Sequence, residues 1–270
     1  MENGRDLDKF LFQIYFEGDS NSKVLSELKD YQGSDGGFRN LGEGDSATSN
    51  VMDTNMAFQC LSEVGAKHTD EIVQKGISFI ISSFDEKNTC WHPNPMQKEN
   101  VWADNPCAEL LGYLYEFSDL VPVNFLERLT EKALSSMTTY KTTTEKPEFY
   151  FLSALCLYRL SERIKQPYKQ YIEEQLKNDI LDIIETNPDK WSTSYCAKPY
   201  YFAESLINPL LPTIKTYVIQ SLENEISTQA EDGHFILNWS ADEESTRAWK
   251  SINTLSVLKF LRNNQMIDFN

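Results

Sequence analysis

Apolar residues recur at three- and four-residue steps along most of the chain, and no long alternating pattern competes with them, so the sequence predicts helices throughout. Two kinds of helix alternate. The first carries one apolar stripe and a charged back: Val24, Leu25 and Leu28; Ile72, Val73, Ile77, Ile80 and Ile81; Phe125, Leu126, Leu129 and Ala133; Ile172, Leu176, Ile180 and Ile184; Ile214, Val218, Leu222 and Ile226. Such a stripe suits a helix with one face on a core and the other in water, so these read as outer helices. The second kind, over residues 5–16, 53–65, 105–117, 147–160, 198–208 and 247–262, is richer in apolar and small residues around more of its circumference and reads as inner helices. Asp53 and Asn105-Pro106 suit helix starts, because Asp accepts from free N–H groups and Pro fits the first turn.

Between outer and inner helices a loop signature recurs. Gln32-Gly33-Ser34-Asp35-Gly36-Gly37-Phe38 is echoed by Gln229-Ala230-Glu231-Asp232-Gly233-His234-Phe235, and looser copies end at Cys90-Trp91 and Lys190-Trp191. Spacings of about 45 to 55 residues indicate a repeat architecture. Glycine takes the positive φ that ends a helix, and the aromatic anchors the crossing, so these loops read as structural staples.

The staples, the helix opening Asp53-Thr54-Asn55-Met56-Ala57 and closing Leu61-Ser62-Glu63-Val64-Gly65, and Lys75-Gly76-Ile77-Ser78-Phe79-Ile80 ahead of Trp91 resemble the squalene-hopene cyclase and protein prenyltransferase superfamily, whose repeats are called QW motifs. The resemblance covers most of the chain, although the middle copies lack the Gln and Gly. It implies an all-α fold, an α/α toroid of about five to six helical hairpins around a central cavity. It also implies that chemistry sits near the N-terminal ends of the inner helices. Since Thr138-Thr139-Tyr140-Lys141-Thr142-Thr143-Thr144 reads as a loop between helices, a single domain over residues 1–270 is expected.

Charge narrows the partners. The formal charge of −16, from 41 acidic against 25 basic residues without a Lys/Arg stripe, opposes phosphate backbones, so nucleic acid is not an expected partner. The start lacks a basic and apolar secretory signal, and no apolar run reaches membrane-spanning length, so a cytoplasmic protein without an integral membrane segment is expected. Five cysteines is an odd count, and Cys60, Cys107 and Cys156 fall in apolar helical patterns, which argues for free thiols. The residues identify no protein partner.

Candidate chemistry concentrates at inner-helix starts. Cyclases of the resembled family use an Asp-x-Asp-Asp-Thr motif, matched here by Asn50-Val51-Met52-Asp53-Thr54, which retains only the final pair. Clustered acids with separated pKa values are what such a proton donor requires. Asp53 is thus either a helix cap or a residual acid. The next start, Trp102-Ala103-Asp104-Asn105-Pro106-Cys107-Ala108-Glu109, offers Asp104 and Glu109 as an acid pair beside the π-face of Trp102, or as a cap and an ion-pair partner; Glu109 interrupts an apolar pattern and needs a cause. Aromatics open later inner helices at Phe149-Tyr150-Phe151, at Tyr200-Tyr201-Phe202 and at Trp249, so Trp102, Tyr150, Tyr200, Tyr201 and Trp249 are candidates to line a hydrophobic cavity. The prenyltransferase zinc site needs an Asp-x-Cys pair, whereas two residues separate Asp104 from Cys107, so neither metal nor other cofactor is expected. Asp242-Glu243-Glu244 reads as a solvated run rather than a magnesium cluster.

The leading expectation is therefore a terpenoid cyclase-like or prenyl-processing protein that binds an isoprenoid-type small molecule and works by acid/base chemistry through Asp53, Asp104 and Glu109, an isomerase or lyase. Two alternatives stay open. One is a noncatalytic toroid binding a lipid or peptide. The other is a carbohydrate-active α/α barrel with Asp104 or Glu109 opposite Asp53 or Glu204.

Overall fold

A computed structural model describes residues 4–42, 48–93, 102–137, 150–203, 208–239 and 243–268. The regular elements among them are all helical: α1 (Asp6–Phe12), extended by a π-helical turn over Gln13–Glu17, α2 (Ser22–Tyr31), α3 (Val51–Glu63), α4 (Glu71–Ser82), α5 (Asp104–Glu116), α6 (Val123–Met137), α7 (Tyr150–Ser161), α8 (Tyr168–Ile183), the single turn α9 (Pro188–Trp191), α10 (Leu211–Thr228) and α11 (Glu243–Asn263). The chain is all-α, as the periodicity predicts. It forms two compact units, one of Asn21–Gln170 and one that unites Met1–Ser20 with Tyr171–Asn270.

In the first unit the amphipathic stripes become the core. Val24 and Leu28 of α2, Val73, Ile77 and Ile80 of α4, and Leu129 and Ala133 of α6 are buried, while the inner helices α3 and α5 bury residues on more than one face. Small residues set the closest approaches. A Cβ on Gly76 of α4 would lie 2.7 Å from the Phe58 ring of α3, and one on Gly112 of α5 would lie 3.2 Å from Arg163 and 3.4 Å from the Leu160 backbone. α5 and α7 consequently pack tightly.

The staples have a defined geometry. In the first, Gly33 N–H donates to the Gly37 carbonyl at 2.8 Å and Gly36 N–H to Gly33 at 3.0 Å, with Gly36 at φ +89. Gln32 Nε2 closes the loop onto the Gly36 carbonyl at 3.0 Å and also reaches the Ile72 carbonyl of α4 at 2.9 Å. The second copy repeats the pattern: Ala230 to His234 at 3.0 Å, Gly233 to Ala230 at 2.8 Å, Gln229 Nε2 to the Gly233 carbonyl at 2.8 Å, and Gly233 at φ +85. In the looser copies the tryptophan takes over. The Trp91 indole N–H donates to the Ile80 carbonyl and the Trp191 indole to the Glu185 carbonyl, each at 2.7 Å, and both rings are buried.

Two expectations change in the second unit. The inner helix expected over 198–208 is only a 3-10 turn at Pro199–Phe202, and 204–207 lie outside the described residues. Proline explains part of this: Lys198 is held extended (φ −68, ψ 134) ahead of Pro199, and Pro209 restricts Asn208 in the same way. The stripe of α10 also drifts, with Ile214, Val218 and Leu222 buried but then Glu225 buried and Ile226 46% exposed. A helix of 3.6 residues per turn rotates a four-residue repeat off its face within a few turns. Elsewhere in this unit α1 packs on α11, with Lys259 Nζ 4.5 Å from the Tyr15 ring centroid and the Arg262 guanidinium 5.4 Å from that of Phe16. The loop read at 138–144 lies outside the described residues.

The paired staples predict unequal responses to one substitution. Gly233→Ala meets no atom within 4 Å and carries only the left-handed backbone penalty, about 1–2 kcal/mol. Gly36→Ala carries the same penalty and places a Cβ 2.4 Å from the Lys75 carbonyl oxygen of α4, adding roughly 1–3 kcal/mol of overpacking. Urea denaturation of the two variants measures the difference, and equal losses would contradict the staple geometry.

Candidate functional site

The inner-helix starts hold the polar groups singled out by the sequence, and the structure gives each a different environment. Asp53 and Thr54 lie in the first turns of α3, both fully buried. The Asn50 side chain caps this helix, accepting from Asp53 N–H at 2.7 Å, and its Nδ2 donates to Asp53 Oδ2 at 2.7 Å. Leu41 N–H donates to Asp53 Oδ1 at 3.0 Å, and Phe38 N–H, at the end of the staple, donates to Thr54 Oγ1 at 3.0 Å. Asp53 and Thr54 thus fasten the staple segment to the inner helix.

The same fastening recurs where no acid is present. Phe235 N–H, at the end of the second staple, donates to Thr254 Oγ1 of α11 at 3.3 Å, and Asn253 Nδ2 donates to the Phe235 carbonyl at 3.2 Å. Asn253-Thr254 is therefore the counterpart of Asp53-Thr54, with an amide where the first copy has a carboxylate. In the hairpin between them Cys107 of α5 takes the threonine's place, its thiol donating to the Trp91 carbonyl at 3.8 Å. Burial pushes the Cys107 thiol up to about 12, so it stays protonated.

Glu109, on α5, is 1% exposed and saturated with donors. Asn55 Nδ2 and Gln59 Nε2 of α3 donate at 3.1 and 2.9 Å, Tyr113 O–H at 2.8 Å, and Arg159 Nη1 of α7 at 3.0 and 3.2 Å to its two oxygens. Burial alone would raise this carboxyl's pKa. The Arg159 charge and the hydrogen bonds from Asn55, Tyr113 and Gln59 outweigh it and hold the pKa below the ordinary value. Further along, Arg163, just beyond the end of α7, donates to Glu116 of α5 at 2.8 Å and to Ser62 Oγ of α3 at 3.0 Å, a second tie between α3, α5 and the α7 segment.

Asp104 differs from both. It is 5% exposed, it does not cap α5, and among the described residues its hydrogen bond is from the Trp102 indole N–H at 2.8 Å. Asn105 beside it is extended (φ −95, ψ 111), so the regular turns of α5 begin at Pro106. Burial pushes the Asp104 carboxyl up to about 6, against which the one indole bond works only weakly. Trp102 is buried against Trp91 at a centroid distance of 6.2 Å. Asp104 and Glu109 therefore do not form an acid pair in the sense of separated donors and bases sharing a proton: no hydrogen bond joins them among the described residues, and Glu109 is committed to Arg159. The Cys156 thiol is what lies between their segments, 3.6 Å from both Asn105 Oδ1 and Glu109 Oε2.

The aromatics divide likewise. Tyr200 is fully buried in the second unit, its ring 4.9 Å from Tyr201 and 5.0 Å from Phe260, and its hydroxyl donates to Glu225 at 3.2 Å. Burial raises the pKa of both tyrosines. Glu225 also pairs with Lys198, and both charged groups are buried. Trp249 is half-buried, edge-on to Trp239 at 5.6 Å, which in turn meets Tyr195 at 5.8 Å. Tyr150 opens α7, and its side chain, like those of Glu204, Asp242 and Glu244, lies outside the described ones.

Arg159, Asn55 and Gln59 were not singled out by the sequence, because on separate helices nothing in their local pattern marks them; the signal was Glu109 itself, a carboxylate that needs a cation. Among the described residues no group of three or more His, Cys, Asp and Glu side chains is placed to hold a metal ion, and no helix is long and apolar enough to cross a membrane. Comparison with protein-family models, with curated proteins and with solved structures finds no match.

The Asp104 environment has a pH signature of definite sign. Its folded pKa of about 6 exceeds the ordinary 3.8, so between those values the folded protein holds a proton that the unfolded chain releases, and stability falls as pH rises through that window. The loss amounts to about 2 kcal/mol at pH 7 relative to pH 4. Denaturation of the wild type and of Asp104→Asn from pH 4 to 7 isolates it: the difference between the two proteins should shift by that amount in favour of the variant at higher pH, and a constant difference would contradict the buried, weakly bonded carboxyl.

Proposed function

We propose that this chain is a terpenoid cyclase-like α/α-toroid protein that binds a hydrophobic, isoprenoid-type small molecule, with Asp104 as its one general acid/base. The observation that carries this reading is the Asp104 carboxyl, buried beside Trp102 with a single indole donor among the described residues and a pKa near 6. Buried carboxyls with few partners and a pKa near neutrality are over-represented at functional sites. Asp53 and Glu109 support architecture instead, since their oxygens are bonded to groups that position α3, α5 and α7.

The pKa also selects the chemistry. A carboxyl near 6 is well matched to moving protons to and from heteroatoms at neutral pH. Protonating an unactivated alkene calls for a much stronger acid, supplied in the resembled cyclases by clustered carboxyls, of which the first start retains only Asp53. Proton-initiated cyclisation is therefore the least supported part of the cyclase-like reading, and acid/base processing of an already functionalised isoprenoid is the best supported.

A second reading, a noncatalytic toroid that binds a lipid or peptide, is favoured by one specific observation: the Asp53 position is answered by an amide, Asn253, which donates to the Phe235 carbonyl beside the same threonine bond. One experiment separates the two. The protein is incubated with linear polyprenes and prenyl diphosphates, and binding and product are measured for wild type and Asp104→Asn. The proposal expects saturable binding by both proteins and turnover reduced at least about 100-fold in the variant. Binding without turnover in either protein selects the noncatalytic reading, and neither binding nor turnover across the panel rules out an isoprenoid ligand.

A further inference from the structure

The two staples are the same loop in different surroundings. The first is covered: Gly36 and Gly37 are buried, Gln32 is half-buried, and α4 lies so close that a Cβ on Gly36 would stand 2.4 Å from the Lys75 carbonyl oxygen and one on Gly37 2.6 Å from the Phe79 ring. Gln32 uses one donor group for both its own loop and the Ile72 carbonyl in the first turns of α4. The second staple is bare: Gly233 and Gln229 are exposed, a Cβ on Gly233 meets nothing within 4 Å, and Gln229 keeps only its loop bond among the described residues.

The helix leading into each staple shows the same contrast. In α2, Lys29 lines a cleft of about 280 Å³ with Glu71, Ile72 and Lys75 of α4. Counting back from the staple, Ile226 of α10 occupies the place of Lys29, and it is 46% exposed. Ile219 lies two turns earlier on the same face, 37% exposed, and Ile236 just beyond the staple is 37% exposed as well. Ile219 and Ile226, seven residues apart on one face of α10 beside the bare staple, suit an interaction surface.

We infer that the second staple and the Ile219–Ile226 face of α10 form a docking seat for a basic amphipathic helix of a partner protein. The first staple specifies the occupant's form, because its own seat is filled by an amphipathic helix, α4, whose first-turn carbonyl receives the glutamine. The rim specifies its charge: Glu223 between the isoleucines and Glu231 in the loop are exposed acids, while Asp232 is engaged by His234 and faces Lys250; the first seat instead has Lys29 and Lys75 facing Glu71. His234 stands where the first staple has Gly37, so the occupant carries a small residue in place of Phe79. Helix-in-groove docking of this kind reads out anchors at three- and four-residue spacing, matching Ile219, Glu223 and Ile226.

The probe is a stapled, fluorescent peptide of residues 68–84 of this chain with Glu71→Lys and Phe79→Ala, titrated into the full chain. The seat predicts saturable binding that weakens at least tenfold in Ile226→Asp and separately in Ile236→Asp, with unchanged far-UV circular dichroism, and hydrogen-exchange protection gained over 226–236. Absence of saturable binding, or binding indifferent to both substitutions, overturns the proposal. Sedimentation velocity supplies the remaining outcome: a dimer of the protein alone that Ile226→Asp dissociates would replace the partner helix by a second copy and overturn it too.

Discussion

A buried backbone N–H must find an acceptor, and at the end of each well-formed staple the loop has already used its own carbonyls. Phe38 and Phe235 are buried aromatics whose amides therefore turn outward to the next inner helix, where Thr54 and Thr254 accept them. Leaving such a group unpaired costs about 1–3 kcal/mol, so the pairing fixes where the inner helix begins relative to the outer helix before it. The glutamine, the aspartate and the positive-φ glycine shape the loop; the threonine decides what the loop is attached to. Where Cys107 replaces threonine, its thiol faces a carbonyl instead of an amide, and the tryptophan indole carries the attachment to the outer helix.

Against this scaffold the charged groups of the first unit divide by how many donors they command. Glu109 collects amides, a phenol and a guanidinium from three helices, which offsets the desolvation of a carboxylate that is otherwise among the most expensive groups to bury. Its value lies in tying α3, α5 and α7 in register; replacing Glu109 and Arg159 together by apolar side chains of similar size would cost far less than removing Arg159 alone, which strands the charge. Asp104 is buried to nearly the same degree with one indole donor among the described residues, so burial prevails and its pKa rises where the partners of Glu109 lower that of Glu109. Two acids five residues apart are thus separated into a structural anion and a proton-exchanging group by their partners alone.

Much of this was legible from the chain and some was not. The all-helical class and most of the helices fall where the apolar spacing places them, because a stripe at three- and four-residue steps is a direct consequence of burying one face. The inner helix expected at 198–208 failed because Pro199 and Pro209 bracket an apolar, aromatic stretch whose composition looks helical while its backbone is restricted at both ends. Ile226, expected in the buried stripe, is exposed and Glu225 beside it is buried, because a strict four-residue count drifts around a helix. Glu109 announced itself by interrupting an apolar pattern, whereas Arg159, Asn55 and Gln59 could not be named, since the contact joins helices distant in sequence. The kinship of Asn253-Thr254 with Asp53-Thr54 was hidden for a simpler reason: threonine is common, and only its bond to a staple amide distinguishes this one.

The equivalence of the two fastenings is tested most directly by native-state hydrogen exchange of two amides, Phe38 and Phe235, in the wild type, in Thr54→Val and in Thr254→Val. Both should be protected in the wild type. Thr54→Val should speed exchange at Phe38 by about tenfold or more while leaving Phe235 unchanged, and Thr254→Val should do the reverse, as expected for the loss of about 1.4 kcal/mol or more of local protection. Fast exchange at Phe235 in the wild type, or protection of both amides that survives the two substitutions, would contradict it.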